Sequence, residues 1–568
     1  MKMTRTIGIG VAGLCLMTPV ARAETFSGKT DWMAGKIGVF QHHLFKAAPA
    51  SFAEMEKTDP KAMAEQLSKL GVDYFCLTLN QCDASFLCPN DTFEDLCGYR
   101  RGERCFQRDV PMELADALAA KGIRLLLYTT GTPPRGEKRI VDGIGYSYVG
   151  ENKDPLYTRH GAENWARCLR EWSLRYGRKV SGWWLDGCYT WLGFDKPEVG
   201  AGALFAEALK AGNPDAVVTF NPGIGLKAHS PAEDYLAGEI NEPFFEACTG
   251  RWAEGRQWHL LTYLGAPLAM PQPLRYTDAA WIDWIRPVLR RGGCVTIDCG
   301  NSPTGELPPL KARQIGTIVS AVRGTLSKEE SGRIAREARL FARTERLEGA
   351  NVCIDTREQK FFRSEFAWKH LVPDGKLVRK GPQGEEIWSD AIRDALDRHG
   401  RVYLPVRVGK PYWIDRTIVL KGGQALSMGP DIFPLGSERT YLKPVPGFAG
   451  PIVANASPGD RDIYLKRVIV EGADEPFVFT GVEGLVVRET GVFGAKGACA
   501  VRLRGVRDFR IDGLLLDGCP DLAAAVAADA ATDIGMVRNV TTRRGGPAVT
   551  SVGGGADIWI DAPSPMAP

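Results

Sequence analysis

"SGWWLDGCYTW" occupies Ser181–Trp191. Trp183, Trp184 and Leu185 make an apolar run, Asp186 ends it and Gly187 follows. Such a run reads as a strand buried on both faces, which belongs to a parallel sheet covered by helices. An acid at its end, followed by a residue free to turn, puts a carboxylate where strand gives way to loop. In an α/β barrel that rim carries the chemistry.

Similar runs recur on both sides: "IGVF" (37–40), "YFCLTL" (74–79), "RLLLYTT" (124–130), "AVVTF" (216–220), "LAGEI" (236–240) and "CVTID" (294–298). Between them lie amphipathic stretches, "PKAMAEQLSKLG" (60–71), "PMELADALAAKG" (111–122) and "GAENWARCLREWSLRYG" (161–177), each ending in the glycine that stops a helix. Strands alternating with helical stretches favour a (β/α)8-type barrel. An open doubly wound sheet competes, but its Gly-rich phosphate loop is absent.

After Trp388 the texture changes. "SDAIRDALDRHGRVYLP" (389–405) reads as a helix and a strand. Short strands then recur: "DIYL" (462–465), "GLVV" (484–487), "DFRI" (508–511), "DIGM" (533–536) and "DIWI" (557–560). Aligning Ile463, Leu485, Phe509, Ile534 and Ile558 gives steps of 22, 24, 25 and 24 residues. A repeat of this length with Gly/Asp turns predicts stacked coils. The expected fold class is therefore α/β plus all-β: a barrel over 24–323, an unassigned stretch over 324–387, and a parallel β-helix over 388–568, capped by the 389–397 helix.

The start of the chain reads as a secretory leader over 1–23. Lys2 and Arg5 precede the apolar "IGIGVAGLCLM" (7–17), and "ARA" (21–23) supplies a cleavage site. Secretion or periplasmic export is expected, with no membrane span. A net charge of +3 over 568 residues, with no basic block, gives no reason to expect nucleic acid. Thirteen cysteines follow the leader, five of them at 76, 82, 88, 97 and 105. In an oxidising compartment these read as a disulfide-stapled loop, with a metal site the weaker alternative.

Over roughly 30–323 the chain resembles the α-L-fucosidases of glycoside hydrolase family 29. "KIGVFQHHL" (36–44) looks like that family's first strand, "RDVPMELADALAAKGIRLLLYTT" (108–130) like its third helix–strand unit, "WWLDG" (183–187) like its nucleophile strand, and "LRRGGCVTIDCGNSPTGELP" (289–308) like its last. The resemblance implies that Asp186 is the nucleophile, Glu239 the acid/base, with Glu242 and Glu246 as alternatives, and His42 a sugar ligand. Trp183, Trp184 and Tyr128 are further substrate-binding candidates. Two departures stand out. "LNQCDASF" (79–86) puts Gln81 and Cys82 where the family carries a His pair, and "FNPG" (220–223) puts Pro222 near the place of an Arg. These imply altered sugar recognition, with Gln81 as the replacement ligand.

The second half resembles the pectate-lyase-like right-handed β-helix family through "SDAIRDALDRHGRVYLPVRVGKPYWIDRTIVLKGGQALSMG" (389–429). There Asp512 and Asp517 lie near Arg502, Arg504, Arg507 and Arg510. Three functions follow: a retaining exo-glycosidase of altered specificity, a non-catalytic carbohydrate-binding protein on a decayed barrel, or a polysaccharide lyase acting in the β-helix. All take a carbohydrate partner. No metal or organic cofactor is implied for the glycosidase, and the oligomeric state stays open.

Overall fold

The computed structural model describes residues 28–568 apart from 46–48, 82–83, 135–136, 150–153, 224, 241–249, 266–273, 275, 303, 351–352, 356–359, 363–370, 408, 429–439, 548–550, 553–557, 561–563 and 566–568. The expected leader lies outside the described residues. No helix among the described residues is long and apolar enough to cross a membrane.

Seven strands make one parallel sheet: β1 (Ile37–His42), β2 (Tyr74–Thr78), β3 (Arg124–Thr130), β4 (Val180–Asp186), β5 (Val217–Phe220), β6 (His259–Tyr263) and β7 (Cys294–Asn301). Their order is β6-β7-β1-β2-β3-β4-β5. The segment 234–240 fills the gap between the two edges. Asp234 N–H reaches Val218 O on one side. On the other, Leu261 N–H bonds Gly238 O, and Ile240 N–H bonds Leu261 O, each at 2.8 Å. Gly238 takes a left-handed φ of +63°, and a Cβ there would lie 1.9 Å from His259 O. Only glycine permits that approach. Eight staves thus run round an α/β barrel, and the run "HLLTY" of β6 is one the sequence reading passed over.

Alternation along β4 sorts its side chains. Trp183 and Leu185 face the helical layer and belong to its large core, whereas Trp184 packs inside the barrel with Phe40 and Tyr128. The helices follow their sequence signals. In α1 (Pro60–Leu70) Asp59 caps Lys61 and Ala62, and Gly71 ends the helix in the left-handed region. Helices α2 (Val110–Ala119) and α3 (Arg159–Tyr176) match their expected stretches.

The disulfide expectation is corrected. Cys76, Cys88, Cys97 and Cys105 are buried and unbonded, while Cys82 lies outside the described residues. Cys88, Cys97 and Cys105 sit in the apolar core with Phe86, Phe93 and Trp165, as small hydrophobic groups.

The second half is a β-helix-like stack of three parallel sheets. Each strand pairs with the one a coil later: Arg461–Lys466 with Glu483–Arg488, then Arg507–Asp512, Asp533–Arg538 and Ile558–Ile560. The register aligns Ile463, Leu485, Phe509, Gly535 and Ile558, so Ile534 is one residue out of the expected ladder. The reason is steric. A Cβ on Gly535 would sit 2.1 Å from the Phe509 ring, so the wide ring of one coil demands glycine in the next. Ile534 is displaced into the corner, at φ +54°, where the coils before it use Asp508 (φ +53°), Gly484 (φ +86°) and Asp462 (φ +61°).

The chain between the halves opens with a long helix and continues into short strands, Cys353–Asp355 pairing antiparallel with Lys360–Phe362 and Arg379–Lys380 with Glu386–Ile387. α4 (Asp278–Arg290) lies on the barrel, and α5 (Lys328–Ala350) runs from it to the coils. Arg333 bonds Asp278 at 2.6 Å, and Arg343 bonds Asp462 at 2.8 Å and pairs with Glu483. α6 (Ser389–His399) packs its Ile392, Ala395 and Leu396 into the core of the first coil, as expected of a cap.

Candidate active site

β4 delivers Asp186 to the barrel rim, and Gly187 turns the chain at φ +72°. That turn lets Gly187 N–H bond Asp186 Oδ1 at 2.7 Å. Tyr128 on β3, level with Trp184 and two residues below the partner of Asp186, donates its hydroxyl up to Asp186 Oδ2 at 2.7 Å. The Tyr128 ring stacks on that of Trp184 beside it on β4, centroids 5.2 Å apart and planes at 19°.

Glu239 stands on the segment that closes the ring. Asn221, the first residue beyond β5, joins the two acids. Its Nδ2 donates to Asp186 Oδ1 at 2.9 Å and to Glu239 Oε2 at 2.6 Å. Sharing one nitrogen keeps those two oxygens no more than roughly 5.5 Å apart, which is compatible with the separation of about 5–5.5 Å between retaining carboxyl pairs. Tyr263 donates to Glu239 Oε1 at 3.2 Å. Enclosure by protein, and next the Asp186 charge, push the Glu239 carboxyl up to about 7, against the hydrogen bonds from Asn221 and Tyr263.

His42 ends β1 inside the barrel, its Nε2 3.3 Å from Asp298 Oδ2 and its ring against Phe40. Its Nδ1 is buried with no partner, and so is Gln81 Oε1. Buried polar atoms without partners are rare and ask for a ligand or water. The structure thus gathers Asp186, Glu239 and Tyr128 directly. Trp184 lies under them, and its Nε1 donates to Ala237 O at 3.3 Å. Trp183 is corrected as a sugar wall: it is buried, faces the helices and packs against Tyr176. Glu242, Glu246 and Cys82 lie outside the described residues.

Asn221 and Tyr263 are the residues sequence reasoning missed. The signal for each was its place: a polar group at the C-terminal end of an apolar run, "VVTFN" and "HLLTY". In the coils, Asp512 offers no comparable opening. It is buried and takes hydrogen bonds from Arg510 at 3.1 Å and Arg538 at 2.7 Å. Asp517 is buried too and is held by Arg544 at 2.6 Å. No cluster of potential metal ligands occurs among the described residues.

No family model matches the sequence, and no curated protein does. Among solved structures the chain is similar to an endo-fucoidan hydrolase of glycoside hydrolase family 107, at 17% identity and a TM-score of 0.41, over 52% of this chain and 53% of that one. It is similar to alpha-L-fucosidase isoenzyme 1 from Paenibacillus thiaminolyticus, at 19% identity and a TM-score of 0.39, over 52% and 75% of the two chains. A family 29 alpha-L-fucosidase from Bacteroides thetaiotaomicron gives 16% identity and a TM-score of 0.38, over 52% and 74%. The match thus spans about half the length of the fucoidan hydrolase.

Proposed function

We propose that the chain is a secreted or periplasmic retaining exo-glycoside hydrolase of the α-L-fucosidase-like kind, with altered sugar specificity. The observation that carries this reading is the single Asn221 amide nitrogen bonded to both Asp186 and Glu239. Inverting pairs stand about 6.5–9.5 Å apart to admit a water, and a bridge that draws one oxygen of each acid to a single nitrogen supports the closer, retaining arrangement.

In the first step Asp186 attacks the anomeric carbon and the bond to the leaving oxygen breaks. The Glu239 proton passes to that oxygen. In the second step Glu239 takes a proton from water, and the water oxygen displaces Asp186. The hydrogen bonds from Gly187, Asn221 and Tyr128 fix Asp186 for attack. The raised Glu239 carboxyl keeps its proton near neutrality. His42 Nδ1 and Gln81 Oε1 meet sugar hydroxyls. The coils form a right-handed, pectate-lyase-like β-helix that supports the barrel or holds glycan.

The test is turnover on a panel of glycosyl fluorides, L-fucosyl among them, with the first-formed product anomer read by NMR. The expected product keeps the substrate's configuration, and Asp186→Asn removes turnover because an amide is no nucleophile. An inverted product, or full activity in Asp186→Asn, would falsify the reading.

A further inference from the structure

Trp191 is the one aromatic among the strongly exposed large apolar side chains of the described residues, 57% accessible. It stands in the loop that leaves β4, five residues beyond Asp186. A lone exposed apolar residue needs no explanation. This one has a backing. Its ring lies parallel to that of Tyr189, with centroids 5.7 Å apart and planes at 10°. Tyr189 packs beside Gly223, where an added Cβ would come within 3.6 Å of its ring. Gly223 N–H in turn bonds Asn221 Oδ1 at 3.2 Å, on the side chain that bridges the carboxylates. Contacts therefore run without a break from the acid pair to an indole open to solvent.

A pyranose ring has an apolar C–H face and a polar edge. Trp and Tyr suit such amphipathic partners, being large, rigid and apolar with a polar tip. We propose that Tyr189 and Trp191 form a stacking platform for the sugar ring on the leaving-group side of the cleaved bond. The inference rests on the exo-glycosidase reading. If the terminal sugar fills the rim above Asp186, the next ring of the chain has only the outward direction to take. The substrate is then an oligosaccharide bound through at least two rings, the second recognised by its face and not by its hydroxyls.

The test compares Trp191→Ala and Trp191→Phe with the unaltered chain on a glycosyl fluoride, whose leaving group carries no ring, and on the matching trisaccharide. The expected result is a fall in the ratio of trisaccharide to fluoride kcat/KM by about tenfold in Trp191→Ala, the factor set by 1.4 kcal/mol, with recovery in Trp191→Phe. Equal loss on both substrates, or none on the trisaccharide, overturns the platform. Calorimetric binding of L-fucosyl, L-rhamnosyl and D-galactosyl trisaccharides to Asp186→Asn protein gives a second readout independent of turnover. Weaker binding when Trp191→Ala is added supports the platform even if the unaltered chain cleaves nothing, a failure that would count against the hydrolase alone. Unchanged binding, or no binding of any trisaccharide, overturns it.

Discussion

At the scale of single residues the site turns on Asn221. Its amide stabilises the charged form of both acids, so removing it acts on both. Asn221→Ala should lower kcat by about 10- to 100-fold, since a hydrogen bond to a charged group is worth roughly 1.5–3 kcal/mol and each 1.36 kcal/mol is tenfold. The sign on Glu239 is definite. Asn221 pulls its carboxyl down, so the variant should move the alkaline limb of the pH–rate profile upward. In the unaltered chain that limb should fall near pH 7, because the donor must be protonated. Glu239→Gln should retain far more turnover on a glycosyl fluoride, which needs no proton to leave, than on a disaccharide. Equal losses on the two would remove Glu239 from the donor role. The place of Asp186 at the rim was legible because an apolar run that ends in Asp and Gly marks the end of a buried strand. Asn221 was not, because a lone Asn after a strand is also an ordinary turn residue; only closure of the ring sets it between two carboxyls.

At the scale of elements, period was legible and register was not. The apolar runs of β1 to β5 and β7 announce buried parallel strands, but "HLLTY" is short and holds a His and a Thr, and the His has partners visible only in the fold. His259 Nε2 lies 2.6 Å from the Thr296 hydroxyl on the neighbouring strand β7. In the coils, spacing located the five strands from Arg461–Lys466 to Ile558–Ile560 but not Ala425–Met428 of the same sheet, and one residue of slip at Ile534 depends on the size of the Phe509 ring, which spacing does not encode. The slip leaves a testable strain. A left-handed residue costs roughly 1–2 kcal/mol, and β-branching makes it a genuine outlier. Ile534→Asn should therefore stabilise the protein by about 0.5–1 kcal/mol, since Asn tolerates that region best after glycine. The midpoint of urea unfolding checks it, and a lower midpoint would show that Ile534 packs more than it strains.

At the scale of the whole molecule the halves meet through buried charge. Tyr276 leads into α4 and lies under Arg488, with the guanidinium 4.7 Å from its ring centre. Arg538 donates to Tyr276 O at 3.4 Å, and Asn539 donates to Leu274 O at 2.8 Å. Asp512 anchors this set. Burial pushes its carboxyl up, but Arg538 and Arg510 outweigh that and hold it below the usual range. Asp512→Ala should cost about 3–5 kcal/mol, because it leaves cations buried without their anion. A thermal midpoint unchanged from the original chain would show that Arg510 and Arg538 find other partners. None of this was legible beforehand: the sequence shows arginines at coil intervals, and only packing reveals that they face the barrel. The pairing pattern also sets a timetable for synthesis. From Arg461 to Arg538 each coil docks on the one made 22 to 26 residues before it, so this stretch can stack in chain order as it folds. β1 pairs with β7 through Ile37 and Val295, so the first barrel strand waits for the last before its second edge is covered. Slow, long-range closure of that kind leaves an unpaired edge exposed, and the nascent barrel is where a holding chaperone would have most to do.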